Sequence, residues 1–152
     1  MGYVTAAGTP AESCLFCSLL RDPDDRRVLI LRRGERAFLV LNAFPYASGH
    51  LMAVVTRHVA NFDGATPDEL AECMTLLQSA ERALRAAYTP DGFNMGANLG
   101  RVAGAGVVGH LHFHLVPRWN GDTNFMPVIG DTRVLPESLD VTYDRLAAAL
   151  RS

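Results

Sequence analysis

The chain has no lysine. All 14 of its basic residues are arginine, which removes Schiff-base catalysis, a phosphate loop ending in Gly-Lys and lysine-linked nucleotidylation from the chemistry open to it. Charge of either sign is also short. Fourteen basic against 16 acidic residues leave a formal net charge of −2, a poor match for a protein that grips nucleic acid through bulk positive potential. No apolar run approaches the roughly 20 residues that a membrane-spanning helix requires. Residues 1–13 show neither the basic n-region nor the apolar h-region of a secretory leader. Ala6 stands where a myristoylation site following Gly2 needs Ser or Thr. Cysteines are few as well. Cys14, Cys17 and Cys73 do not make a disulfide framework and point to a reducing cytoplasm.

What is present suits an ordinary globular chain. With 152 residues, 49% of them hydrophobic, one sizeable core is affordable and two are not. A single domain over 1–152 is expected, with 1–13 as a flexible N-terminal extension. Arg21-Asp-Pro-Asp-Asp-Arg-Arg27 reads as a solvated turn. Val28–Leu31 and Ala37–Leu41 then flank a charged turn at Gly34, which predicts a β-hairpin. His50–Val55 is a third apolar strand. Thr66-Pro-Asp-Glu69 carries a helix start, with a Thr cap, Pro in the first turn and Glu three residues on. Leu70, Cys73, Met74, Leu77, Leu84 and Tyr88 follow at helical spacing until Pro90-Asp-Gly92. Phe93–Asn98 and His110–Val116 predict two more strands, and 139–150 a short amphipathic helix. The class is α+β: a five-stranded antiparallel sheet with one long and one short helix.

Three of the five histidines stand in His110-Leu-His112-Phe-His114-Leu-Val-Pro117. On a strand, residues i, i+2 and i+4 share a face at steps of about 6.6–7 Å. That aligns three imidazoles on one side and sets Leu111, Phe113 and Leu115 on the other. A helix would scatter both sets. Three uses compete for such a row. The rings could be satisfied core groups, although aligned imidazoles cost solvation unless something uses them. They could be metal ligands, although no nearby Asp or Glu supplies a usual third. Or the central ring could act as a nucleophile between neighbours that orient it. The preceding stretch from Gly92 to Gly109 favours the last. It is dense in small residues, including Asn94, Asn98 and Ala103-Gly104-Ala105-Gly106, and such a loop lets backbone N–H groups approach a phosphate without any lysine.

The His-x-His-x-His row followed by two apolar residues resembles the signature of the histidine triad (HIT) nucleotide hydrolases and transferases. The likeness extends to Asn42-Ala-Phe-Pro-Tyr46, to Gly49-His50-Leu51 and to the Cys14–Cys17 pair. The segments Ala103–Gly106 and Pro117–Met126 look more specifically like the diadenosine tetraphosphate phosphorylase branch. The resemblance implies His112 as the nucleophile of a covalent nucleotidyl–histidine intermediate, with His114 and His110 as supporting partners and His114 near the phosphate oxygens. It also places Asn42, eight residues before His50, at the ribose, and Asn98 with Gly104, Ala105 and Gly106 along the phosphate path. Many hydrolases of the family carry Gln shortly before the first triad histidine. Here Ala105-Gly106 stand there, leaving room for free phosphate as the second nucleophile.

Taken with its zinc-bearing members, the family implies a structural zinc on Cys14, Cys17, His58 and His110. The bare alternative is a pair of buried thiols with His58 at the surface. Trp119 either covers the nucleotide site or packs on a partner subunit. Arg118 is a candidate phosphate contact or a solvated surface group. The resulting expectation is phosphorolysis of diadenosine tetraphosphate to ATP and ADP by a cytoplasmic homodimer or larger oligomer. Inorganic phosphate is the co-substrate, with no organic cofactor, nucleic acid or membrane partner. A hydrolase or phosphoramidase using water is the same-class alternative. A zinc-containing nucleotide-binding module without turnover is the different-class one.

Overall fold

The computed structural model describes residues 10–124, 126–130 and 137–152. Residues 1–9 of the expected N-terminal extension lie outside them, and the remainder leads into a 3-10 turn at Ala11–Ser13. Five strands form one antiparallel sheet in the order β1-β2-β3-β5-β4: β1 Ile30–Arg33, β2 Ala37–Leu41, β3 Leu51–Val55, β4 Gly92–Gly96 and β5 His112–Arg118. Four helices accompany it among the described residues: α1 Leu15–Arg21, α2 Pro67–Tyr88, α3 Met126–Ile129 and α4 Leu139–Arg151.

The α+β class and five antiparallel strands agree with expectation, and several boundaries move for identifiable reasons. β1 starts at Ile30 because Val28 and Leu29 still donate to the carbonyls of Asp24 and Arg26 in the preceding turn, and Leu29 has a left-handed φ of 63°. β5 starts at His112 because the Leu111 N–H is drawn to the Val59 carbonyl at 2.7 Å. Its far end runs to Arg118, opposite Gly92 of β4. The helix α1 was not anticipated. Seven residues are too few to show a helical period, and it forms by burying Phe16 against the sheet.

The long helix matches its predicted bounds, and its cap explains the start. The Glu69 N–H donates to Thr66 Oγ1 at 3.2 Å while Glu69 Oε2 accepts from the Thr66 N–H at 2.8 Å, a reciprocal box worth about 1 kcal/mol. Cys73, Leu77, Ala80 and Leu84 face the sheet and are buried. Met74, expected on that stripe, is exposed; it sits a third of a turn away, and Leu76 and Ala83 fill the core instead.

Glu69 is also held by Arg57, whose Nε and Nη2 donate to its two carboxylate oxygens at 2.8 and 2.9 Å. Those bonds, with the one from Thr66, bring its pKa from 4.5 to about 2. The ionised carboxylate therefore stabilises the fold fully above about pH 4.5, and the contribution is lost as pH falls towards 2. Glu69→Gln is expected to cost about 1–2 kcal/mol at pH 7. In thermal melts the gap to wild type should narrow steadily between pH 4.5 and 2. A gap that widens on acidification would refute this account.

The two faces of the sheet do different things. Leu39, Leu41, Leu51, Ala53, Val55, Leu111, Phe113 and Leu115 pack on α2, with Leu146 of α4 beside them. Ile30, Phe38, Val40, Met52 and Val54 point the other way, towards Phe16 and Val107. Cross-strand partners share a face, so Met52 opposite His114 and Val54 opposite His112 bring both histidines to this second side. Among the described residues the short α1 and the loop that carries Val107 pack on it, which leaves room beside the histidines.

Candidate active site

That room is a cavity of about 660 Å³. His112 and His114 line it with Asn42, Asn98, Gly104, Ala105 and Gly106. The structure thus gathers most of the predicted nucleotide-binding residues around one space. Leu15, Phe16, Leu19, Val28, Leu29 and Met52 form its apolar part, which suits the face of a planar ring. Trp119 is not brought there. β5 carries it past the far end of the strand, where its indole Nε1–H donates to the Tyr88 carbonyl at 3.4 Å. Arg118 is likewise committed elsewhere, to Asp122 and Asn94.

Hydrogen bonds assign the protons on the histidine rings. His112 Nδ1 lies 2.7 Å from the His110 carbonyl. A carbonyl can only accept, so Nδ1 carries the hydrogen and Nε2 keeps its lone pair. Burial pushes the His112 pKa below its ordinary value, so the ring is neutral at pH 7, as a nucleophile must be. Phe16 packs against it with ring centroids 5.1 Å apart, and the His114 ring lies edge-on at 5.0 Å. The rotamer is therefore confined on both sides.

His114 is protonated at the opposite nitrogen, through a residue the sequence reading missed. The Tyr46 N–H donates to His50 Nδ1 at 3.1 Å, which puts the His50 proton on Nε2. That nitrogen lies 3.0 Å from His114 Nδ1 and donates to it. The relay leaves Nε2–H as the donor that His114 offers to an occupant of the cavity. Burial, and secondarily the proximity of His112, lowers the His114 pKa to about 4. Buried His50 stands within the Gly49-His50-Leu51 segment of the resemblance, and only strand pairing shows that it reaches His114. Asn42 flanks it, with Nδ2 at 3.4 Å from His50 Nε2 and Oδ1 accepting from the Phe44 N–H at 2.9 Å.

His110 turns out to belong to a second cluster, adjoining the first. Its Nε2–H donates to the Val55 carbonyl at 2.6 Å, so the Nδ1 lone pair faces Cys14 Sγ at 3.2 Å and Cys17 Sγ at 3.6 Å. Cys17 Sγ also lies 3.4 Å from His58 Nδ1. The four ligand atoms are all within 4.8 Å of one another. A tetrahedral site with bonds of about 2.3 Å to sulfur and 2.0–2.1 Å to nitrogen has S···N edges of about 3.5 Å. The donor set and its spacing fit such a site, and the Val55 carbonyl supplies the outer bond that orients the ligand ring. Burial and the neighbouring Cys14 raise the Cys17 pKa to about 11. A cation binding there must displace thiol protons. Cys73, buried on α2, takes no part.

Comparison with known proteins bears on the family and the fold. The HIT domain family model matches residues 26–121. A Mycobacterium tuberculosis protein named AP-4-A phosphorylase is 44% identical over 123 residues, which are 81% of this chain and 63% of that protein. This chain therefore spans somewhat under two thirds of that relative's length. An uncharacterized HIT-like protein of Saccharolobus solfataricus is 32% identical over 74% of this chain and 79% of its own. Among solved structures, a zinc-bound histidine triad family protein from Mycobacterium smegmatis superposes with a TM-score of 0.74 at 25% identity, covering 93% and 96% of the two chains. A histidine triad nucleotide-binding protein from Sulfolobus tokodaii has the same fold, with a TM-score of 0.72 at 24% identity over 91% and 92%.

Proposed function

This chain belongs to the histidine triad (HIT) family, and from that premise we propose that it is a nucleotidyltransferase that cleaves diadenosine tetraphosphate with inorganic phosphate as acceptor. The observation that carries the reading is the tautomer of His112, buried, neutral and with its Nε2 lone pair available at the cavity. In the first step Nε2 attacks the α-phosphorus and the bond from that phosphorus to the bridging oxygen breaks. ATP leaves with the oxygen, and adenylate remains on His112. In the second step a phosphate oxygen attacks the same phosphorus, the P–N bond breaks, and ADP leaves with the ring neutral again. His114 Nε2–H would donate to a phosphate oxygen and share the charge developing there. His110 acts through its carbonyl, which holds the His112 proton on Nδ1. Asn42 is proposed to meet the ribose, and Asn98 with the Gly104–Gly106 turn the phosphates. The named activity of the 44%-identical relative supports phosphate as acceptor, as does the absence of a polar side chain at Ala105-Gly106.

Zinc fits Cys14, Cys17, His58 and His110 and would be structural there, with all four positions filled by protein. It would tie α1 to the start of β5. The exposed outer strand β4, with Met95 59% exposed, supports pairing with a second copy and hence a homodimer or larger assembly. Trp119, outside the cavity lining within one chain, keeps its two proposed uses. Reduced cysteines support a cytoplasmic setting, and among the described residues no helix is long and apolar enough to cross a membrane.

The test is product analysis of diadenosine tetraphosphate with and without inorganic phosphate. ATP and ADP should appear only when phosphate is present. AMP and ATP in its absence would make water the acceptor and overturn the phosphorolysis assignment.

A further inference from the structure

The lining of the cavity carries two formal charges among the described residues, both positive. They are Arg27 and Arg101, and no Asp or Glu lines the space. The histidines add none, because burial keeps them neutral at pH 7. Arg27 is already committed to Asp22. The Arg101 side chain has no hydrogen-bond or ion-pair partner among the described residues. Among the described residues it is thus the one cation lining the cavity with its full donor set available.

The turn that presents Arg101 is built with care. Arg101–Ala103 form a 3-10 turn between Gly100, with φ 83°, and Gly104, with φ 90°, left-handed angles that favour glycine. The Gly104 N–H donates to the Arg101 carbonyl at 3.1 Å and the Ala105 N–H to the Gly100 carbonyl at 3.3 Å. Asn98 Nδ2 donates to the Gly104 carbonyl at 3.3 Å. The backbone is closed on itself and braced, while the guanidinium it carries is left without a bond. A planar fork of donors in that position matches a phosphate.

We propose that Arg101 is a specificity-determining residue that binds a second phosphate, next to the one attacked by His112, and so makes the site prefer polyphosphate over monophosphate ligands. This rests on the nucleotide-processing reading above. The second phosphate has two possible sources, the substrate's own chain beyond the α-phosphorus or the free phosphate acceptor.

The first measurement is equilibrium binding of AMP and ATP to wild type, Arg101→Gln and Arg101→Lys, which needs no turnover. Wild type should prefer ATP by about 10–100-fold, the range of charge-assisted hydrogen bonds to one group. Arg101→Gln should lose most of that preference with AMP affinity within twofold, and Arg101→Lys should recover part of it. Equal affinity of wild type for AMP and ATP would overturn the proposal, and so would an Arg101→Gln variant that weakens both ligands alike. Failure of wild type to bind either nucleotide would instead sink the nucleotide-processing reading beneath it. The second measurement separates the sources. A higher KM for inorganic phosphate in Arg101→Gln, with His112 adenylylation unchanged, assigns the acceptor. Slower adenylylation from diadenosine tetraphosphate, with adenosine 5′-phosphoramidate unaffected, assigns the substrate chain.

Discussion

Asparagine in place of His112 is expected to cut turnover of diadenosine tetraphosphate by at least about 10⁴-fold, the scale seen when a nucleophile is removed from an otherwise intact site. The side-chain amide can still donate to the His110 carbonyl that now receives Nδ1–H at 2.7 Å. What disappears is the Nε2 lone pair. Circular dichroism and thermal melting should show a folded protein that binds AMP. Mass spectrometry of wild type, quenched during a single turnover without phosphate, should show an adenylyl adduct that the variant lacks. Residual activity within tenfold of wild type would remove His112 as nucleophile. AMP binding by a wild type that neither turns over nor forms the adduct would select the non-catalytic binding module.

The second large effect concerns the cysteine cluster. Cys14→Ser should abolish stoichiometric zinc in the purified protein and lower Tm by about 10 °C, on the scale of 2–4 °C per kcal/mol for a chain of this size. The reason is mechanical. A seven-residue helix does not hold itself together in water, and α1 is kept by Phe16, fully enclosed at 1% exposure, and by the two cysteines at its N-terminal end. A chelator should reproduce the loss in wild type and add nothing to the variant. A wild type that melts identically with and without chelator would show that the thiols are only packed side chains.

The fold was legible where periodicity runs long or where a cap marks an edge. The 22-residue α2 is announced by Thr66, Pro67 and Glu69 and sustained over six turns, and the spacing of His112, Phe113 and His114 admits only a strand. The spacing aligns three histidines, and the resemblance gives His110 two roles, beside His112 and on the zinc. In the structure His112 and His114 line the cavity, whereas the His110 ring faces the cysteines. Alternation along a strand assigns a face but not a neighbour along it. His50 was missed for a related reason, since its partner His114 is 64 residues away and only the β3–β5 register joins them. Trp119 has two sequence readings, over the nucleotide site or on a partner subunit, and a strand rising about 3.3 Å per residue takes it away from the cavity lining of this chain.

The division of the sheet into two faces bears on how such a chain can be edited. Along β3 and β5 alternate residues face α2, and from the other set Met52, His112 and His114 line the cavity. Inserting or deleting a single residue within either strand would exchange the two sets, turning Phe113 to the cavity and His112 to the hydrophobic core. Length changes are thus forbidden in the strands and confined to the connections, such as the loop from Asn42 to Gly49 and the glycine-rich stretch from 97 to 109. Those same connections line the ligand cavity. Variation in loop length among relatives would therefore fall on substrate preference and leave the chemistry intact.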